Sequence, residues 1–151
     1  MQTKYSQRFY KNRKNLFSSA EIISEIVFDL VRPRKVLDLG CGNGEFLNFF
    51  KKRGAKEILG VDGNWIKKEN LEIPQECFLA ADLEKPFKSK KQYDLAVSLE
   101  VAKHLGSERA ESFVEDLVDL APVVLFSAAI PYQGGTGHKN EQWLEYWAEF
   151  F

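Results

Sequence analysis

Glycines alternate with other residues in the stretch 36–46, and carboxylates lie on both sides of them. Asp38 ends an apolar run just before Gly40, and Glu45 follows Gly44. Glycines at a strand-to-helix turn let the backbone approach a ligand closely, because no Cβ intervenes and positive φ is available. A pyrophosphate needs donors at such a turn and would meet carboxylates here, whereas a ligand with a cationic group would be accepted. The spacing G-x-G-x-G also differs from the G-x-G-x-x-G of dinucleotide sites.

This stretch, V-L-D-L-G-C-G-N-G-E-F, resembles the first motif of the class I S-adenosylmethionine-dependent methyltransferases. S-adenosyl-L-methionine carries a sulfonium and an α-amino group and has no phosphate, as an acid-flanked loop requires. The resemblance implies a Rossmann-like three-layer α/β sandwich with a central, mainly parallel sheet. It also implies S-adenosyl-L-methionine as the cofactor, S-adenosyl-L-homocysteine as its product, and cofactor contacts from Asp38, Gly40, Cys41 and Gly42.

A second acid lies at the end of the next predicted strand. Asp62 follows the glycines at about the twenty-residue offset at which an acid binds ribose hydroxyls in Rossmann-type sites. A carboxylate can accept two hydrogen bonds from a vicinal diol. Asp62-Gly63-Asn64 is also turn-forming in its own right, and the turn role and the ribose role are compatible. We predict that Asp62 binds the ribose and that Gly63 borders the adenosine.

Two further strand ends carry candidate ligand contacts. Ala81-Asp82-Leu83 resembles the pattern in which the acid accepts from the adenine amine and the next residue offers a backbone N–H and an apolar face. A plain turn role for Asp82 is the alternative. Glu100 ends the fourth strand, where a parallel sheet places its ligand crevice. It is predicted to contact cofactor or substrate.

His104 and His138 are the candidate catalytic bases. Near neutral pH an imidazole can take the proton of an attacking hydroxyl, although a histidine early in a helix can also simply cap or pack. His138 belongs to a glycine-rich segment that resembles the acceptor-facing segment after the fifth strand in some bacterial small-molecule methyltransferases. This resemblance makes Gln133, Asn140 and Gln142 candidate substrate contacts, and a loop with a helix cap is the alternative. A single histidine with one nearby acid does not predict a metal site.

Alternating strands and helices must position these residues. A helix is expected to start at Ser18 or Ser19 and to pack an apolar face on the sheet, and Ser107 is expected to cap a later helix. That apolar face consists of Ile22, Ile23, Ile26, Val27, Leu30 and Val31. The predicted strands are 36–39, 57–62, 77–80, 93–100 and 123–127. The family's C-terminal antiparallel hairpin is missing, so we expect either a truncated chain or a second copy that covers the edge of the fifth strand.

Length and composition predict one globular domain over residues 1–151. The net charge of −1 excludes a globally basic nucleic-acid binder. A basic and aromatic arm, residues 1–17, contains Tyr10 as a further candidate substrate contact. Cys41 and Cys77 predict no disulfide framework. With no signal peptide and no apolar run of about 20 residues, the chain is expected in the cytoplasm, away from membranes.

The combined prediction is a methyltransferase that modifies a hydroxyl or an amine of a small polar acceptor. A non-catalytic S-adenosylmethionine-binding or partner-completed module is the alternative, because the hairpin is missing. A nicotinamide-dependent oxidoreductase is disfavoured by the glycine spacing and the flanking acids. A nucleic-acid acceptor is disfavoured because neither an N-P-P-Y-type motif nor a second basic face is present.

Overall fold

The computed structural model describes the backbone of residues 14–151 and the side chains of residues 18–151. Strands and helices alternate along this part of the chain. The helices are α1 Lys14–Val31, α2 Glu45–Arg53, α3 Ala110–Leu120 and α4 Leu144–Ala148. The strands are β1 Lys35–Leu39, β2 Glu57–Asp62, β3 Phe78–Ala80, β4 Leu95–Leu99 and β5 Val124–Ser127. Short 3₁₀ turns include Ala102–His104, just after β4, and Ser107–Arg109, just before α3.

The strands form one parallel sheet of five strands in the order β3-β2-β1-β4-β5. β1 lies at its centre and pairs with β2 on one side and β4 on the other. The direction of strand progression reverses between β1 and β4, which is where open α/β sheets form a ligand crevice. The predicted parallel α/β architecture is therefore confirmed.

The sheet is covered on both faces by helices, as a parallel sheet requires. On one face, α3 buries Phe113 and Leu117 in a cluster that includes Leu37 of β1. On the other face, α2 buries Leu47 and Phe50 in a second cluster. Burial of such side chains is the main term that stabilises the three layers.

The prediction for the first helix is wrong in its start and for three residues of its apolar face, whereas Val27 of that face does pack against the core. The helix begins at Lys14, ahead of Ser18 and Ser19. It packs mainly against α2 rather than on the sheet. Ile22, Ile26 and Leu30 are 57%, 54% and 80% exposed. The fully buried positions of the helix are instead the small residues Ala20 and Ser24.

The predicted capping role of Ser107 is wrong. Ser107 opens the short 3₁₀ turn and makes no side-chain cap, and α3 begins at Ala110.

The last helix packs on the last strand. α4 places Trp147 against Phe126 of β5, with ring centroids 5.3 Å apart. Within residues 14–151, β5 forms one edge of the sheet, and no helix there is long and apolar enough to cross a membrane.

Candidate functional site

A cavity of about 470 Å³ lies at the carboxyl ends of the central strands. Its size suits a small-molecule ligand. The cavity is lined by residues that follow each of the five strands: Asp38, Gly40, Cys41, Gly42, Asn43, Glu45, Phe46, Asp62, Gly63, Trp65, Ala81, Asp82, Leu83, Glu84, Leu99, Glu100, Val101, Lys103, His104, Leu105, Gly137 and Lys139. The candidate cofactor residues predicted from sequence are all in this lining. The structure therefore brings them together, and their individual binding roles stay predictions.

The glycine loop between β1 and α2 has left-handed backbone at Gly40, Gly42 and Gly44. At Gly40, with φ of 93°, a Cβ would overlap the side chain of Val101, so this glycine lets the loop pack under the segment after β4. At Gly42, with φ of 56°, the nearest atom to an added Cβ would be 3.9 Å away, on Glu45. Gly42 therefore leaves free space on the cavity side of the loop, where a ligand can approach the backbone.

Asp62 fixes this loop from the end of β2. Its Oδ2 accepts the N–H of Gly42 at 2.8 Å, and its Oδ1 accepts the N–H of Gly63 at 2.6 Å. Burial raises the pKa of Asp62, although these two N–H groups partly oppose the rise. The turn role that the sequence indicated for Asp62 is therefore observed, and the same carboxylate lines the cavity, so its role in binding a ribose stays a prediction.

Three carboxyl groups lie close together beneath the loop. Asp38 is 3% exposed, and burial raises the pKa of its carboxyl well above the ordinary value, with further increases from Asp62 and Glu45. Burial also raises the pKa of the Cys41 thiol, so this side chain is neutral at pH 7. Carboxylates that crowd one wall favour a cationic ligand, because a positive charge offsets their mutual repulsion.

Asp82 and Leu83 follow β3 at the opposite wall. Asp82 is half-exposed, and its Oδ1 accepts the N–H of Glu84 at 3.1 Å, which is the turn geometry left open by the sequence. Leu83 is buried, and its carbonyl accepts from Nε of Arg109 at 3.2 Å. Arg109 also donates to the carbonyl of Lys85 at 3.1 Å. The loop after β3 is therefore held by a buried arginine of the turn before α3.

Arg109 itself is neutralised by Asp116, with which it forms an ion pair inside the protein. Asp116 also accepts the N–H of Phe87 at 2.8 Å, so the ion pair binds three backbone groups of the loop after β3. The sequence analysis did not predict these contacts. Arg109 lies 26 residues from the carbonyl it holds, and no local pattern announces such a contact.

Glu100 occupies a strained position at the end of β4. Its φ is 62°, in the left-handed region that non-glycine residues rarely adopt. Its Oε2 accepts from Nζ of Lys103 at 2.6 Å, and its Oε1 accepts from Oγ of Ser127 at 2.8 Å. Although burial alone would raise the pKa of Glu100, these hydrogen bonds and one from Gln133 hold it below the ordinary value. Glu100 is therefore an ionised group that joins β4 to the segment after β5.

The two candidate bases occupy different positions. His104 lines the cavity, and its Nδ1 lies 3.1 Å from the carbonyl oxygen of Gly137. His138 is absent from the lining among the described residues, and its Nδ1 lies 2.6 Å from Oε1 of Glu141. The two imidazole rings meet edge to face, with centroids 5.2 Å apart. The structure thus places one histidine at the cavity and the other behind it.

The candidate substrate residues after β5 lie outside the described cavity lining. Gln133 hydrogen-bonds Glu100 and accepts the N–H of Ile130 at 3.2 Å. Asn140 is buried, and its Oδ1 accepts from Nε2 of Gln142 at 3.0 Å. These contacts fold the segment on itself, so any role in acceptor binding stays a prediction. Tyr10 lies outside the residues whose structure is described.

Backbone contacts dock this segment on the turn after β4. The N–H groups of Lys139 and Asn140 both donate to the carbonyl of Lys103, at 2.8 and 3.1 Å. The side chain of Lys139 forms an ion pair with Glu84 across the cavity. The sequence analysis did not predict a role for Lys103, Lys139 or Glu84, because each of them makes its contact with a residue on a distant segment.

Comparisons with known proteins agree with this architecture. A family model described as a methyltransferase domain matches residues 6–148. The sphingolipid C9-methyltransferase of Candida albicans is 30% identical over 104 residues, which cover 60% of this chain and 20% of that protein. A tRNA U34 carboxymethyltransferase of Azotobacter vinelandii is 42% identical over 36 residues, 24% of this chain and 11% of that protein. The chain thus spans no more than about a quarter of these curated relatives.

A solved structure with the same fold is that of CalS10 with S-adenosylmethionine bound, an amino pentose methyltransferase from Micromonospora echinaspora. It has a TM-score of 0.67 and 18% identity, and the match covers 94% of this chain and 67% of that chain. The fold is therefore that of Rossmann-like methyltransferases. Because the family model covers most of its length, the chain belongs to the methyltransferase domain family. The resemblance drawn from the glycine motif is confirmed.

Proposed function

We propose that this domain binds S-adenosyl-L-methionine in the cavity and transfers its methyl group to a hydroxyl or an amine of a small polar acceptor. The observation that carries the proposal is the open backbone at Gly42 above the carboxylates of Asp38, Glu45 and Asp62. A sulfonium and an ammonium group suit this negative wall. A diphosphate would be repelled by it, which is why a nicotinamide dinucleotide does not fit.

The chemical groups of the lining residues match those of the cofactor. Asp62 would hold the ribose, Asp38 and the glycine loop the amino-acid part, and Asp82 with Leu83 the adenine. The bound cofactor supplies a methyl group on a sulfonium. Transfer of that group is an in-line displacement, so the contribution of the protein is mainly alignment of the acceptor and exclusion of water.

The acceptor is proposed to carry no phosphate or carboxylate group. At the side of the cavity formed by the segments after β4 and β5, Lys103 pairs with Glu100 and Lys139 pairs with Glu84. Each lysine is compensated by a carboxylate, so neither provides an unbalanced positive charge for a phosphate or carboxylate. CalS10 acts on an amino pentose, which supports a sugar-like acceptor by analogy. We also infer a cytoplasmic protein, and a second copy as the cover for the edge of β5.

Calorimetry with S-adenosyl-L-homocysteine tests the cofactor site. We expect binding by the wild-type chain and a loss of at least tenfold in affinity for Asp62→Ala, which removes a charged hydrogen-bond acceptor. Asp29→Ala is the matched control, because Asp29 is an exposed acid of α1 outside the cavity. Equal affinity in all three proteins would contradict the placement of the ribose.

Acceptor transfer is tested with matched neutral sugars and amino sugars in the presence of S-adenosyl-L-methionine. Formation of S-adenosyl-L-homocysteine with at least one of them, above the rate without acceptor, is the expected result. Tight cofactor binding with no transfer to sugars, polyols or amines would favour the alternative of a non-catalytic binding module. Transfer to RNA alone would refute the small-molecule acceptor.

A further inference from the structure

A buried arginine binds the loop after β3 from inside the protein. Arg109 is 4% exposed; its Nε donates to the carbonyl of Leu83 at 3.2 Å, and one terminal nitrogen donates to the carbonyl of Lys85 at 3.1 Å. The other terminal nitrogen donates to Oγ of Ser112 at 2.7 Å. The central carbon of the guanidinium lies 5.4 Å from the centroid of the buried Phe113 ring. These contacts together hold the guanidinium in one position.

Stability alone does not explain why this arginine forms an ion pair inside the protein. Asp116, its partner, is 1% exposed. Removing two charges from water is costly, and apolar side chains of similar volume often give equal or greater stability. Unlike an apolar pair, however, the ion pair forms hydrogen bonds to the backbone of the loop, where Asp116 also accepts the N–H of Phe87 at 2.8 Å. The pair therefore determines the conformation of the loop.

One peptide group of the loop connects the arginine to the cavity. The carbonyl and the N–H of a trans peptide point in opposite directions. The carbonyl of Leu83 accepts from Arg109. The N–H of Glu84, which belongs to the same peptide group, donates to Oδ1 of Asp82 at 3.1 Å. Because Asp82 lines the cavity, the orientation of its carboxylate depends on a side chain that lies behind the cavity wall.

We propose that Arg109 and Asp116 are positioning residues for recognition of the purine base. They act by fixing the loop peptide that binds the carboxylate of Asp82. The inference rests on the proposed function, in which Asp82 accepts a hydrogen bond from the adenine amine. A carboxylate held in one orientation distinguishes an amino group, which donates hydrogen bonds, from an oxo group, which only accepts them.

The binding of two purine ligands to the free chain tests the proposal. S-adenosyl-L-homocysteine carries a 6-amino group, and S-inosyl-L-homocysteine carries an oxo group at the same position of the purine. For the wild type, calorimetry should show at least about tenfold tighter binding of the amino purine, because an oxo group leaves the carboxylate without a donor. The ratio of the two dissociation constants is the preference for the amino purine.

Arg109→Lys separates position from charge. A lysine keeps a positive charge beside Asp116, but it lacks the planar fork that reaches two carbonyls at once. The preference should therefore fall to about threefold or less. Arg53→Lys is the matched control and should keep the wild-type preference, because Arg53 ends α2 and forms a surface ion pair with Glu25. If Arg109→Lys weakened the binding of both ligands equally, its role would be structural only, and the proposal would be overturned.

A double variant keeps the test decisive if Arg109→Lys does not fold. Arg109→Met combined with Asp116→Leu removes both charges and leaves neither of them buried and unpaired, so the domain should stay folded. Circular dichroism shows whether it does. This variant should also lose the preference for the amino purine, and a folded double variant with the wild-type preference would refute the positioning role.

The remaining outcomes separate this inference from the proposed function. A folded wild-type chain that bound neither ligand would count against the proposed function itself. Equal binding of both ligands by the wild type would refute the contact between Asp82 and the adenine amine, and the inference with it. A wild-type preference that survived in both Arg109 variants would overturn the inference alone and leave the cofactor site in place.

Discussion

Gly40 and Gly42 provide the sharpest test of how the loop is built, because the same substitution should have opposite consequences at the two sites. Both residues have positive φ, and both line the cavity. At Gly40 an added methyl group would overlap Val101. At Gly42 it would project into space whose nearest atom is 3.9 Å away. One alanine should therefore damage the fold, and the other should damage the binding site.

For Gly40→Ala we expect a loss of about 1–3 kcal/mol from overpacking, with about 1–2 kcal/mol more from the left-handed backbone. The sum, about 2–5 kcal/mol, is a large part of a domain stability of about 5–15 kcal/mol. At about 2–4 °C per kcal/mol for a chain of this size, Tm should fall by about 4–20 °C. For Gly42→Ala only the backbone cost of about 1–2 kcal/mol applies, so its Tm should fall by about 2–8 °C.

Ligand binding should rank the two variants in the other order. With Gly42→Ala, the affinity for S-adenosyl-L-homocysteine should fall by at least tenfold, or about 1.4 kcal/mol, because the methyl group occupies the place of the ligand. Thermal unfolding followed by circular dichroism gives the stabilities, and calorimetry on the folded proteins gives the affinities. Wild-type affinity in Gly42→Ala, or a smaller Tm loss in Gly40→Ala than in Gly42→Ala, would refute this account of the loop.

Further predictions concern charge and assembly. Because burial raises the pKa of Asp38, the free energy of unfolding is highest at low pH, where this carboxyl is protonated, and it falls as pH rises through the folded-state pKa. Asp38→Asn should therefore raise Tm at pH 7 while weakening S-adenosyl-L-methionine binding. Arg109→Met should cost about 3–5 kcal/mol in chemical denaturation, because it leaves Asp116 buried and unpaired. Lys139→Ala should change the free energy of unfolding by less than about 1 kcal/mol, since the ion pair of Lys139 with Glu84 is half-exposed. It should nevertheless speed the dissociation of S-adenosyl-L-homocysteine in stopped-flow experiments, and an unchanged rate would mean that the pair does not close the cavity. Light scattering should detect a dimer that a Val124→Pro substitution disrupts, because the N–H of Val124 faces the free edge of β5 and not β4; a monomer at all concentrations would exclude the cover by a second copy.

Local sequence determined the strand ends and the glycine loop. Asp38, Asp62, Asp82 and Glu100 each stand at or just after the carboxyl end of a parallel strand, and such ends meet at one edge of the sheet. Their convergence on one cavity therefore follows from strand order and strand direction alone. The left-handed backbone at Gly40 and Gly42 likewise follows from residue type.

Periodicity was less informative for α1, whose regular apolar stripe suggested the wrong buried face. Ile22, Ile26 and Leu30 have helical spacing, but spacing shows only that one face is apolar and not which partner is close enough to cover it. The tertiary structure settled this by packing Ala20 and Ser24 towards the interior. The position of α1 beside α2, which the periodicity does not encode, decided which of its residues are buried.

The partners of the charged and catalytic side chains were decided only by the tertiary structure. Lys139 and Glu84 are 55 residues apart, and Nδ1 of His104 meets a carbonyl 33 residues away. The sequence showed that His104 and His138 could both act as bases, yet only the fold placed one at the cavity and the other behind it. Strand direction and backbone conformation are encoded by neighbouring residues, whereas a hydrogen bond between distant segments depends on where the packed core brings them.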